Sequence, residues 1–284
     1  MRWRDGALDS TRPAVMAIVN VTPDSFFDGG RCSELGPALE RAWEVVADGA
    51  DILDIGGESS RPGAEVVEEA EERRRVLPLI EALVNGNRPY PLPISIDTTS
   101  ASVADAALQS GACIVNDITG GTRDPRILDV CAEHGAGIIL MHMRGTPRTM
   151  QDDVSYNDLV GEVTSHLEQC CRAATRAGIP AAHQAVDPGI GFGKSAAGCL
   201  EILGRLHALA ALERPVLIGA SRKSFLGRAF GHEGDERLMG SAMAAGLAIH
   251  QGASIVRVHD VRATRLAVDV ASGVRRAGAG SRGA

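Results

Sequence analysis

Eight short apolar runs recur along this chain, and each one stops at a polar cluster. AVMAIV ends at Asn20, ILDI at Gly56-Gly57-Glu58-Ser59-Ser60-Arg61, and PISI at Asp97. CIV ends at Asn116-Asp117, GIILM at His142, and AV at Asp187. VLIGA runs into Ser221-Arg222-Lys223, and SIV into Arg257-Val258-His259-Asp260. The stretches between them have helical periodicity. Strand then helix, eight times, predicts a single α/β domain, a (β/α)8 TIM barrel. The chain's 284 residues suit that fold, which uses about 250. Catalytic groups of such barrels sit at the carboxyl ends of the strands, where these polar clusters fall.

Composition narrows the function. The net charge is −7 with basic residues scattered, and aromatics are 3%, so neither a nucleic-acid surface nor a base-stacking platform is expected. No apolar run approaches the roughly 20 residues that span a bilayer, and the first residues lack a signal-peptide core. Six cysteines without CxxC spacing suggest buried, reduced thiols in a cytoplasmic protein.

Residues 1–13 read as a loose lead-in, 14–273 as the barrel and 274–284 as a disordered tail. Helices are expected near 37–48, 65–84, 100–111, 157–177, 196–212, 235–251 and 261–273. A short one should follow Arg222, and another should open with Asp124 as cap and Pro125 in its first turn. The run EVVEEAEERRR, with Glu69/Arg73 and Glu71/Arg75 four apart, reads as a solvated helix face. The loop after Asn20 is longer than a strand-to-helix turn needs, which suggests a functional role.

DPGIGFGKS at 187–195 fails as a phosphate loop, because the position five before Gly193 is Pro188. Its alternating glycines suit a backbone pressed close to a flat ligand, with Phe192 available to stack. Asp97, Asn116 and Asp187 end three strands. Around one barrel mouth they would suit a heterocycle with adjacent N–H donors and acceptors, or alternatively a divalent metal. Arg257 and His259 end the last strand near Ser221 and Lys223, at a corner where barrels often bind phosphate; Ser60 and Arg61 add a hydroxyl and a cation. His142 follows Met141 at the end of the fifth run; the remaining histidines show no metal-ligand spacing, and most read as structural.

VNVTPDSFFDGG, DIGGESSRPGA, SIDT, VNDITGG, LMHMRGTPRTMQ, DPGIGFGK, GASRKSFLG and RVHDV resemble, in order and spacing, the dihydropteroate synthase family over about residues 14–270. The resemblance implies a (β/α)8 barrel that joins 6-hydroxymethyl-7,8-dihydropterin diphosphate to 4-aminobenzoate. It implies that Asn20 is a Mg²⁺ ligand, and that Asp97, Asn116 and Asp187 meet the pterin edge. Met141, Gly191, Phe192 and Lys223 would wall the pterin slot. Ser60, Arg257 and His259 would hold the diphosphate, and Arg61 and Ser221 would lie near the aminobenzoate. Asp28, Arg61, Lys223, Arg257 and His259 would carry the catalytic roles. Loops 21–32 and 59–66 would close over the site. A homodimer in the cytoplasm, with small-molecule substrates and without nucleic acid or membrane as partner, is implied as well. The sequence departs from the family at Ser60, where Thr is frequent, and at Phe27, where a small residue is. A pterin-binding methyltransferase of the methyltetrahydrofolate type would share the Asp/Asn edge but has no use for the diphosphate corner. A catalytically silent paralogue would lack a loop or phosphate residue, and none is missing.

Overall fold

The structure, a computed structural model, describes residues 1–22, 35–59, 63, 67–231 and 233–280. Asp28, Ser60, Arg61, Phe27 and most of the two expected loops lie outside the described residues.

A two-stranded hairpin comes first, β1 (Arg2–Trp3) and β2 (Gly6–Ala7). The lead-in thus has regular structure of its own. Eight parallel strands follow: β3 (Ala14–Asn20), β4 (Ile52–Gly56), β5 (Ile94–Asp97), β6 (Ile114–Asp117), β7 (Gly137–Met141), β8 (Gln184–Asp187), β9 (Leu217–Ile218) and β10 (Ile255–Val258). Their order is β8-β7-β6-β5-β4-β3-β10-β9. A parallel bridge between Val186 and Val216 joins the two ends and closes the barrel. All eight strands coincide with the eight apolar runs.

Side chains alternate along a strand, so one parity faces the barrel axis and the other faces the helices. In β3, Val15, Ala17 and Val19 pack in the large core between sheet and helices. Ala14 and Met16 join Ile52, Ile114, Ile139, Ala185, Leu217 and Ile255 in a plug inside the barrel, and Met1, Trp3 and Leu8 cover it from below. The inward parity then continues upward from apolar to polar: Ile18 and Asn20, Asp54 and Gly56, Ser95 and Asp97, Asn116, Asp187, Arg257 and His259. Two steps along each strand therefore separate the packed floor from the chemistry at the mouth.

The helices are α1 (Leu35–Ala47), α2 (Glu69–Asn85), α3 (Ala101–Gln109), α4 (Arg126–His134), α5 (Leu159–Arg176), α6 (Ala196–Gly204), α7 (Ser224–Phe230), α8 (Gly234–His250) and α9 (Val261–Gly280). Two expectations are corrected. The sixth helix ends at Gly204, and Leu206–Leu212 continue as a 3-10 turn. The supposed tail is helical to Gly280, because Arg275 hydrogen-bonds the Ile249 carbonyl at 2.9 Å and Arg276 bonds Ser272 at 2.7 Å. Asp124 stands at the head of α4 as expected: its carbonyl accepts the Ile127 N–H at 3.0 Å, its carboxylate takes a backbone hydrogen bond from Arg126, and it also accepts the Ala101 N–H at 3.1 Å, tying α3 to α4.

Candidate active site

The carboxyl ends of the strands surround a cavity of about 630 Å³. Asn20, Asp97, Gly191, Phe192, Ser221, Lys223, Arg257 and His259 all line it. A second cavity of about 640 Å³ shares Glu58, Ser59 and Asp97 with the first and extends over Thr98, Ile118, Arg123 and Arg148.

Arg257 organises the mouth. Its Nε donates to Asp54 Oδ2 and its Nη2 to Asp97 Oδ2, both at 2.6 Å. Three strands thereby meet across the barrel. Burial works against the Arg257 charge, but the two carboxylates outweigh it and raise its pKa. Burial lifts Asp97 above the ordinary carboxylate range, and Arg257 pulls it back. A guanidinium has five N–H donors, so these two bonds leave three others.

Asp54 was not anticipated. It is fully buried, and its Oδ2 also accepts the Asn116 amide at 3.1 Å. Its other oxygen has no partner among the described residues. Asn116 and Asp187 are buried at 3% and 5% exposure. Of the expected trio, Asp97 lines the cavity, and Asn116, its neighbour in the sheet register, is engaged with Asp54. Asp187 accepts the Gly189 N–H at 2.7 Å; burial raises its pKa, opposed by Lys223, that hydrogen bond, Lys194 and Arg257. Met141 packs with Met150 and Phe192 in a small apolar cluster behind the mouth.

On the opposite wall, Lys223 donates to the Ile190 carbonyl, and its ammonium lies 4.4 Å from the Phe192 ring centroid. Burial lowers its pKa to about 8, against the pull of Asp187. The Ser221 hydroxyl accepts the His259 backbone N–H at 3.2 Å and lies 3.1 Å from its Nδ1. With the hydroxyl donating to Nδ1, the ring proton resides on Nε2. Arg222 turns the chain with φ +56°; its N–H is held by Ser241 at 2.9 Å and its guanidinium by Asp260 at 2.9 and 2.5 Å. Asp260 therefore orients this turn.

One further expectation changes. The charge run on α2 is solvated at Glu71, which pairs with Arg74 and Arg75, but Glu72 is only 3% exposed. Burial raises Glu72 to about 7. Glu69 bonds Ser102 at 2.5 Å. His142 is buried, with its Nδ1 2.8 Å from the Lys194 ammonium.

A (β/α)8 barrel whose mouth combines buried carboxylates, an aromatic wall and a cationic corner defines an enzyme for an anionic heterocycle. The family described as "Pterin binding enzyme" matches residues 16–259. A dihydropteroate synthase of Synechocystis sp. is 47% identical over 253 residues, covering 89% of this chain and 86% of that one. The Yersinia pestis dihydropteroate synthase, solved in a sulfonamide drug complex, superimposes with TM-score 0.90 at 39% identity, covering 97% and 99% of the two chains. The Xanthomonas albilineans enzyme, solved with 4-aminobenzoic acid, gives TM-score 0.85 at 44% identity, covering 93% of each. The chain belongs to the dihydropteroate synthase family.

Proposed function

We propose that this chain is a transferase that joins 6-hydroxymethyl-7,8-dihydropterin diphosphate to 4-aminobenzoate, releasing diphosphate and forming 7,8-dihydropteroate in folate biosynthesis. The observation that carries the reading is one cavity with a carboxylate wall at Asp97 and a cationic corner at Lys223, Arg257 and His259. A methyltransferase of the pterin-binding type has no leaving anion to fill that corner.

Asp97, Asn116 and Asp187 would read the heterocycle's edge, and Phe192 with Met141 behind it would form the wall of its slot. Arg257, with three N–H donors beyond its two carboxylate bonds, and His259 through its Nε2 proton would hold the diphosphate. As the carbon–oxygen bond breaks, the electron pair leaves with that anion, whose growing charge these donors and Lys223 would stabilise. The electron-rich pterin delocalises the positive charge left on its methylene carbon. The aminobenzoate nitrogen then forms the new bond and loses a proton. An aromatic amine is neutral at pH 7, so no strong base is required. Asp28, Ser60 and Arg61 enter this reading through the sequence resemblance.

Mg²⁺ would supply charge neutralisation on the leaving oxygens. Asn20 offers a single neutral oxygen at the mouth, and among the described residues no cluster of three His, Cys, Asp or Glu could hold a resident metal. That donor set fits an ion that takes its other ligands from diphosphate and water. Turnover of both substrates, assayed with Mg²⁺ and after its chelation, tests the function; no product in the complete mixture would overturn it.

A homodimer is part of the proposal. Met239, Met243 and Leu247 on α8, and Leu266, Val270 and Val274 on α9, are each spaced by four residues and between 56% and 69% exposed. Such a stripe on two packed helices calls for a cover, and a second copy supplies a matching one. Sedimentation should give twice the 29.7 kDa chain mass, and Met243→Lys should give the monomer; a wild-type monomer would refute it. Among the described residues no helix is long and apolar enough to cross a membrane, and the five described cysteines are free thiols, in keeping with a cytoplasmic location.

A further inference from the structure

Lys194 closes the DPGIGFGK segment, and no step of the reaction uses it. It is 2% exposed. Its ammonium donates to the Phe192 carbonyl at 2.8 Å and lies 2.8 Å from His142 Nδ1 and 3.4 Å from the His142 carbonyl. The turn it serves is pressed hard against the end of β7. A Cβ on Gly189, whose φ is +70°, would sit 1.9 Å from the His142 carbonyl oxygen. Residue 189 also gives its N–H to Asp187, and Phe192 follows three residues later.

We infer that Lys194 is a positioning residue for the heterocycle: it clamps the 188–194 turn to the end of β7, and so fixes the Phe192 ring and the Asp187 carboxylate against which the pterin is held. The inference rests on the proposed roles of Asp187 and Phe192.

The electrostatics agree with the clamp. Burial, then the Lys194 charge, pushes His142 down to about 3, so its neutral ring accepts a hydrogen bond from the ammonium. Burial lowers Lys194 itself to about 7, and Asp187 opposes that most strongly. The charged and titratable groups facing Lys194 are Asp187 at the end of β8, His142 and Arg144 after β7, His166 on α5, Cys199 on α6, and Lys223 before α7. Asp187 is the sole carboxylate in that set. Lys194 is in turn one of three cations, with Lys223 and Arg257, that favour an ionised Asp187.

The test uses Lys194→Met, which keeps the side-chain bulk and loses the donors, and Lys194→Gln, which keeps a donor without the charge. Binding of 6-hydroxymethylpterin is followed by calorimetry from pH 5 to pH 9, beside steady-state kinetics. The Met variant should bind about tenfold more weakly or worse at pH 7, the size of losing a hydrogen bond from a charged donor, and Gln should recover part of the loss. KM for the pterin diphosphate should rise, with KM for 4-aminobenzoate little changed. Because Asp187 loses one supporting cation in both variants, the midpoint of the acidic limb of pterin affinity should move to higher pH. A merely structural role would weaken binding at every pH and leave that midpoint in place. Wild-type pterin affinity in either folded variant, or an equal rise of both KM values with an unmoved midpoint, would overturn the inference. Should the Met variant not fold, Gln and His142→Asn carry the same readouts. Asp187→Asn separates the two levels: wild-type pterin binding there removes Asp187 from the site, whereas weak binding there with unaffected Lys194 variants sinks only the clamp.

Discussion

Replacing Asp54 by alanine should be among the most damaging single changes at the mouth. Asp54 and Arg257 form an ion pair at 2.6 Å whose side chains are 0% and 18% exposed. Breaking a buried pair from one side leaves an uncompensated charge, typically a loss of about 3–5 kcal/mol. Asp97 keeps its own contact with Arg257 at 2.6 Å, which argues for the lower end, while the Asn116 amide loses its acceptor. We expect about 3–4 kcal/mol in total, roughly a 6–16 °C drop in Tm at 2–4 °C per kcal/mol. Asp54→Asn is the control. Its amide oxygen can take the place of Oδ2 and keep both donors satisfied, with its NH₂ where Oδ1 already lacks a described partner. That variant should lose about 1–2 kcal/mol, the charge-assisted part of the bond. Urea unfolding at pH 7, followed by circular dichroism, measures both, and calorimetry with diphosphate reports on the loosened Arg257. An Ala variant within about 1 kcal/mol of wild type, or Ala and Asn variants of equal stability, would refute the reasoning, since a broken buried pair should exceed a lost charge.

Glu72 tests pH linkage: its folded pKa is raised by burial from 4.5 to about 7, so the folded state holds a proton that the unfolded chain has released, and stability falls as pH rises through that window. Glu72→Gln should remove on the order of 2–3 kcal/mol of that decline between pH 4.5 and 8, read as the difference between wild-type and variant urea midpoints; parallel pH profiles would contradict it. In Gly56→Ala the new Cβ would stand 3.1 Å from Asn20 Oδ1, so the variant should fold yet need more Mg²⁺ for half-maximal turnover, measured by metal titration. His259→Ala should weaken binding of the pterin diphosphate in calorimetry while sparing unphosphorylated pterin, and equal losses of both would dissolve that division.

The strands were legible because a parallel barrel buries both faces, so each appears as an unbroken apolar run. The final helix was not legible past residue 273. GVRRAGAG reads as low complexity; beside the Arg276–Ser272 bond within the helix, the reach of Arg275 back to the end of α8 lies outside any local pattern. At the site, residues that end a run were easy to single out, and a residue inside one was not. Asp54 nevertheless carried a signal: it interrupts ILDI two positions before Gly56, in the parity that faces the axis. Lys194 was passed over because the segment was weighed as a phosphate loop; that its ammonium would turn back to carbonyls at 192 and 142 depends on a tertiary fold that no local pattern records. Glu72 was hidden in the same way, as one acid among many in a run that is otherwise solvated.

The closure of the barrel has a consequence for how ligands act on it. β9 has two residues, and its junction with β8 consists of the single Val186–Val216 bridge beside Pro215, which has no N–H to donate. Amide exchange should therefore start at this seam, because local opening there breaks the fewest contacts. Yet Asp187 stands on one side of the seam, and Ser221 and Lys223 hang from the other. A molecule that touches both rims spans the gap. Occupancy of the mouth is then felt by the whole closed sheet: the substrate acts as a fastener on the least secured joint of the barrel, and exchange in segments 184–187 and 215–219 should slow first when it binds.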